Sequence, residues 1–291
     1  MPISDVRQVI ISSTKQLAQN VWKATVAGQH YAIKLEKKTF LRMAGHPDNR
    51  DGWEMRMTDL TWATNLFLEI CKNDRLHPWS RALGGDELAF VWGSLPGNNV
   101  ARTQLPSTLA TITDFVPDHV DFSKCDQGKS HVCLNALLTG KGDPVSLHTL
   151  GRGLAVDLFL GNNDRYAYES TDGSIFVNLE NFFLHVNPSG PNSIFYIDFW
   201  DPNSAYNSKN KFPTTIGPEY LGSLLSNDQG RMRCAQAIST RLSKLLHIQN
   251  ANVKGIAEGL KSGAADLGKL LRKDKNHPHI SRRLAACGIK P

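Results

Sequence analysis

The chain has 291 residues, of which 41% are apolar and 21% charged; this composition belongs to a globular protein and excludes a disordered or fibrous one. A chain of this length buries roughly 75% of its unfolded surface, enough for one bilobed domain or two small ones. The formal net charge of +6 favours a polyanion as partner, whether nucleic acid, phosphoinositide headgroup or nucleotide phosphate, without choosing among them. The five cysteines, Cys71, Cys125, Cys133, Cys234 and Cys287, are scattered and form no CxxC pair, so neither a disulfide framework nor a zinc site is expected and a reducing compartment fits best. The first residues do not form a secretory signal. No apolar run approaches the roughly 20 residues that a bilayer requires, and the run from Leu154 to Leu160 is interrupted by Asp157. These absences predict a soluble, cytoplasmic protein.

In chain order, the first forty residues alternate as strands do. Val9 to Ile11, Val21 to Val26 and His30 to Leu35 predict an antiparallel meander, with Gly28 at a tight turn and Ser12 to Gln16 in the loop after the first strand. From Trp53 to Cys71, apolar residues at helical spacing (Met57, Leu60, Phe67, Leu68) predict one long helix. Glu87 to Trp92 and Thr108 to Phe115 are rich in β-branched and aromatic residues and predict two more strands, about five in all. After Pro117 the character changes. Helices are expected at Val132 to Leu138, Leu147 to Leu160, 218–248 and 251–273, with paired strands at Asn181 to His185 and Ile194 to Phe199 and a short basic helix or tail at the end. The expected class is α+β, with a small antiparallel β-rich lobe (residues 1–116) and a larger helical lobe (residues 117–291).

Four segments carry the chemistry. In Tyr31-Ala32-Ile33-Lys34 a strand alternates and then presents one lysine. Its ordinary reading is an exposed strand lysine; its functional reading is an ammonium that grips nucleotide phosphates and is held by a carboxylate on the following helix, for which Glu54 is the leading candidate. In Leu158 to Arg165 an apolar helix end meets Gly161, Asn162 and Asn163, a helix stop and an Asx-turn that explain every residue but Asp164 and Arg165. Asn178 to His185 and Phe195 to Trp200 each offer one oxygen ligand, Asn181 and Asp198.

Lys34, Asp164, Asn181 and Asp198 thus appear in the order in which phosphoryl transfer uses such groups. A lysine orients the phosphates, a loop aspartate positions the acceptor hydroxyl and takes its proton, and an asparagine and a second aspartate hold magnesium. Hard oxygens suit that ion, and manganese is an acceptable substitute. A hairpin broken at Asn187 to Pro191 is expected to bring the two metal ligands to one mouth.

These segments, YAIK, LFLGNNDR, NLENFFLH and YIDFW, resemble the atypical branch of the protein-kinase-like superfamily, specifically actin-fragmin kinase, with HipA-type and phosphoinositide 3/4-kinases as more distant relatives. The resemblance spans residues 9 to 200. It implies a bilobed protein-kinase-like fold, ATP on Lys34, Asp164 as catalytic-loop aspartate, and Asn181 and Asp198 as magnesium ligands. It also implies a hinge at Thr113 to Pro117, in which Asp114, Phe115 and Val116 meet adenine while Ile33 and Phe183 face the base. Two departures stand out. The first loop has no GxGxxG, so phosphate cover falls to Ser13, Thr14, backbone N–H groups or Lys15. Asp164 and Asn181 are 17 apart where conventional protein kinases have five, so Tyr166 to Val177 must be an insertion, as in the actin-fragmin type.

The leading expectation is an ATP- and magnesium-dependent kinase acting on serine or threonine of a protein, in its own cytosol or, as an injected effector, in that of a host. The same cleft serves a small-molecule or lipid kinase, or an AMP-transferase. The competing class is a pseudokinase or a basic module whose tail (Arg272, Lys273, Lys275, His277, His279, Arg282, Arg283) binds nucleic acid or an anionic membrane; a solvated basic tail is the favoured reading of those residues. The histidines, His119, His131, His148, His185 and His247 among them, lack metal-ligand spacing and are expected to be structural.

Overall fold

The computed structural model describes residues 11–18, 21–26, 28–36, 65–70, 80–83, 85–93, 109–116, 119–139, 144–160, 166–169, 174–185, 193–196, 222–249, 251–274, 276 and 278–290. The chain divides into two compact units, residues 1–64 with 78–116 and residues 65–77 with 117–291. The fold class is α+β: an antiparallel sheet dominates the first unit and helices the second.

The first unit contains β1 (Ile11–Ala18), β2 (Val21–Val26), β3 (Gln29–Glu36), β4 (Ser80–Leu83), helix α1 (Gly85–Trp92) and β5 (Leu109–Asp114). Five strands pair in the order β1-β2-β3-β5-β4, and every pair is antiparallel. Gly28, at φ +79°, makes the β2–β3 turn in a conformation that costs glycine little. That turn sets the register: Val26 lies opposite Gln29, so Trp22 meets Ile33 and Ala24 meets Tyr31. Because side chains alternate between faces, these four form one buried layer with Ile112 and Leu83.

Two expectations are corrected in this unit. Glu87 to Trp92 is helix, not strand. Asp86 and Glu87 occupy the helix's first turn, where carboxylates are favourable, and Arg81 of β4 grips Glu87 through both guanidinium nitrogens at 2.8 and 2.6 Å. Its strand-like composition was outweighed by that pair and by the burial of Val91 while Ala89 and Phe90 stay exposed. The fifth strand is instead β4. Residues 12–16 are not a loop but lie inside β1, bulged at both ends, with Ser13 opposite Thr25 and Thr14 opposite Ala24. Of the expected long helix, 65–70 is helical and clusters with the second unit; the remainder lies outside the described residues.

The second unit contains β6 (His119–Asp121), α2 (Gly128–Thr139), α3 (Pro144–Leu160), a hairpin of β7 (Tyr166–Glu169) and β8 (Ser174–Val177), a second hairpin of β9 (Phe182–His185) and β10 (Ser193–Tyr196), then α4 (Asp228–Leu246), α5 (Val253–Leu270) and α6 (Pro278–Ala286). Helix α3 begins on a proline, whose missing N–H and fixed φ suit a first helical position. Ten consecutive residues, Gly151 to Leu160, are buried except Arg152, so α3 is the apolar axis of the unit. Helix α5 lies against it at close range. A Cβ at Gly259 would sit 2.0 Å from the His148 carbonyl oxygen, and one at Gly151 would sit 2.2 Å from that of Ile256. Across this seam Arg152 donates to Asp266 at 3.0 Å. Asn227 and Asn252 cap α4 and α5 by accepting the N–H groups of Gly230 and Gly255 at 2.8 and 3.0 Å.

Among the described residues, Cys125, Cys133 and Cys234 are free thiols, and no helix is long and apolar enough to cross a membrane. Burial raises the thiol pKa values of Cys125 and Cys234 to about 12, and nearby Asp121 adds to the effect at Cys125. At pH 8 almost no thiolate exists at either site. We expect an aromatic disulfide reagent to label partly exposed Cys133 in the native protein while Cys125 and Cys234 react only after denaturation. Peptide mass spectrometry of a timed labelling reads the order, and equal native rates for the three would refute it.

Candidate functional site

In the first unit the expected phosphate-binding lysine lies on β3. Tyr31 and Ile33 are buried, whereas Ala32 and Lys34, which alternate with them, are partly exposed, so Lys34 projects from the face opposite the core. Ile33 is fully buried on the other face, and its expected place against a base is corrected on that ground. On the face of Lys34 the register sets Val21 and Thr111 beside Lys34, and Lys23 and Thr113 beside Ala32. Lys15 lies directly across from Lys23. This face is polar and cationic, and its partner face is apolar.

The segment expected to be a hinge begins in the last two residues of β5, Thr113 and Asp114. Asp114 lies opposite Tyr31, whose phenol pKa is raised first by burial and then by the Asp114 carboxylate. The Phe115 N–H donates to the His30 carbonyl at 3.0 Å. That bond uses Phe115's one backbone N–H within the unit. The Phe115 ring instead carries the Lys23 ammonium 4.3 Å from its centre, a cation–π contact. Val116 is buried.

In the second unit Asn181 ends a short 3₁₀ turn, Leu179–Asn181, and is only 7% exposed. It was expected on a strand. The difference arises because the Asn178 side chain accepts the Glu180 N–H at 3.1 Å, closing a turn before the β ladder starts. Leu179 and Phe182 hold Asn181 between buried apolar neighbours, and Phe182 stacks on Phe122 at 5.4 Å. Phe183, expected to face a base, stacks on His119 at 4.2 Å.

Strand β9 lies between β6 and β10. Tyr196 pairs with Phe182, so Asp198 follows two residues after the β10 residue opposite Asn181's neighbour. In the span from Tyr166 to Val177, expected as an insertion, β7 and β8 pair antiparallel with Tyr166 opposite Val177. The two ends of this segment are therefore adjacent. With those twelve residues set aside, Asp164 and Asn181 are five apart in the chain.

Glu54, Asp164 and Asp198 lie outside the described residues. Lys34 and Asn181 belong to different units.

No family model matches the chain, and no curated protein matches it. Among solved structures it is similar to vaccinia related kinase 3, at 12% identity over 98% of this chain and 88% of that one, with a TM-score of 0.37. It is also similar to choline kinase LicA from Streptococcus pneumoniae, at 12% identity over 96% and 92%, with a TM-score of 0.25. A structure of LicA in complex with AMP matches at 12% identity over 88% and 94%, with a TM-score of 0.26.

Reading the sequence missed Lys23 as a neighbour of Ala32. A signal for it existed: a two-residue turn after Val26 puts Lys23 across from Ala32 without further information. Asp157, noted in the sequence only as a break in the apolar run from Leu154 to Leu160, is fully buried within the apolar end of α3.

Proposed function

We propose that this chain is an ATP- and magnesium-dependent atypical kinase with a bilobed protein-kinase-like fold, its lobes formed by residues 1–116 and 117–291, transferring the γ-phosphate to serine or threonine of a protein. One observation carries the reading. Tyr166 and Val177 are paired, so the hairpin between them is a closed excursion, and without it Asp164 and Asn181 have the five-residue spacing of conventional kinases. The third member, Asp198, follows two residues after Tyr196 in the chain, and Tyr196 is paired with the residue after Asn181. The likeness to actin-fragmin kinase rests on the four sequence segments alone.

In this reading the acceptor hydroxyl attacks the γ-phosphorus, the bond to the bridging β-oxygen breaks, ADP leaves, and Asp164 orients the hydroxyl and takes its proton. Lys34 holds the α- and β-phosphates, with Glu54 as its carboxylate partner, and Asp114 to Val116 border the base. The Asn181 amide oxygen and the Asp198 carboxylate are hard donors that suit magnesium, which supplies charge neutralisation at the β- and γ-oxygens when bound. Asn181 is buried in a turn capped by Asn178, which limits the freedom of a side chain in a ligand position.

The test is to incubate the protein with γ-labelled or α-labelled ATP, magnesium and a cell lysate. Label transferred to protein from the γ position alone is expected. Transfer from the α position would replace the kinase by a nucleotidyl transferase, and γ label in lipid or a small alcohol would replace the protein acceptor.

A further inference from the structure

The positive charge is concentrated at one end of the chain. Residues 222–290 contain 13 Lys and Arg against 4 Asp and Glu, a net +9, which leaves −3 on residues 1–221. Much of it lies along one stripe. Helix α5 buries Ile256, Leu260, Ala264 and Leu267, and its exposed positions are Lys254, Glu258, Lys261, Ala265 and Lys269, continued by Arg272 and Lys273 in the 3₁₀ turn that follows. These recur every three or four residues, so they share one face, about 27 Å long at 1.5 Å per residue. The stripe has one carboxylate, Glu258, 3.9 Å from Lys254; Lys269 lies 3.3 Å from Asp266 at its edge. Lys261, Arg272 and Lys273 form no ion pair with another described residue. Lys261 nonetheless helps pull the Asp228 carboxyl below its ordinary range, after the larger effect of the Arg231 hydrogen bond.

We propose that this face of α5 and the turn after it docks the protein on an anionic lipid bilayer. The stripe is rich in lysine, a mobile point charge suited to a diffuse negative surface, where base reading calls for planar, bidentate groups. It contains no Asn or Gln, and residues 222–290 contain no Phe, Trp or Tyr, so no aromatic ring there stacks on bases or inserts among acyl chains. What remains is long-range attraction, in which each cation close to the membrane strengthens binding by about fivefold. The inference is independent of the kinase reading.

The experiment is flotation of the full chain with vesicles of phosphatidylcholine alone or with one-fifth phosphatidylserine, at low and at high salt. Binding is expected only with phosphatidylserine, and it should fade in high salt as screening grows. The triple variant Lys254→Glu, Lys261→Glu, Lys269→Glu changes exposed side chains only and should bind at least tenfold more weakly, with an unchanged circular dichroism spectrum. Lys129→Glu, an exposed change on α2, should bind like the parent. The proposal is overturned if phosphatidylserine vesicles do not bind at low salt, if the triple variant binds like the parent, or if a 30-base-pair DNA duplex displaces the protein from the vesicles at equal charge.

Discussion

Gly259→Ala is expected to destabilise the second unit by about 3 kcal/mol, the upper part of the range for overpacked interiors. The added methyl carbon would lie 2.0 Å from the His148 carbonyl oxygen and 2.8 Å from the Gly151 Cα. Both obstacles are backbone of α3, so no side-chain rotation relieves the contact and the helices must separate. Separation would open the layer of Leu147, Leu150, Leu154, Ile256 and Leu260, all buried, and stretch the 3.0 Å contact of Arg152 with Asp266. Gly255→Ala is the matched control. It lies one turn away on the same helix, yet its new methyl would meet nothing nearer than the Asn252 side chain at 3.2 Å, and alanine is the better helix former. Urea denaturation followed by far-ultraviolet circular dichroism separates the two; a Gly259→Ala midpoint equal to that of Gly255→Ala would show that α3 and α5 do not approach this closely.

The second large effect is expected at the proposed transfer site. Asp164→Asn keeps the shape of the side chain and removes the proton acceptor, and it should lower kcat for phosphate transfer by about 10³-fold, within the range for general-base groups, while KM for ATP changes little. Asn181→Ala should act differently. Loss of one oxygen donor weakens metal capture, so the rate should fall at ordinary magnesium concentrations and partly recover as magnesium is raised. Steady-state kinetics at several magnesium concentrations distinguishes the two patterns. Unchanged turnover in Asp164→Asn would remove that residue from the chemistry, and loss of rate in Asn181→Ala that no magnesium concentration restores would remove its role as metal ligand. Circular dichroism must match the parent for both variants, because Asn181 is buried.

The meander was legible because two-residue periodicity and a glycine turn are local signals; β2, β3 and their register follow from Val21 to Leu35 alone. Helix α3 was legible as a long apolar run, and β9 and β10 as strands interrupted by proline and glycine. Glu87 to Trp92 was not, since its strand-like composition yields to an ion pair with Arg81, a residue on another element. Residues 12–16 looked like a loop because serine and threonine are common there, yet a strand edge accepts them when the neighbouring strand supplies the hydrogen bonds. Asn181 was picked out by its place in a pattern, but its turn depends on a side-chain bond from Asn178 that competes with the ladder.

What the amino-acid order decided by itself is the set of elements with strong local period and the succession of Lys34, Asp164, Asn181 and Asp198, because period and order are properties of a line. Tertiary structure alone decided that Tyr166 and Val177 meet, that Gly151 and Gly259 touch backbone to backbone, and that the face of β3 with Tyr31 and Ile33 is the one buried in the core. Each of these depends on which distant segment fills the space beside a residue, and a spacing along the chain carries no information about that.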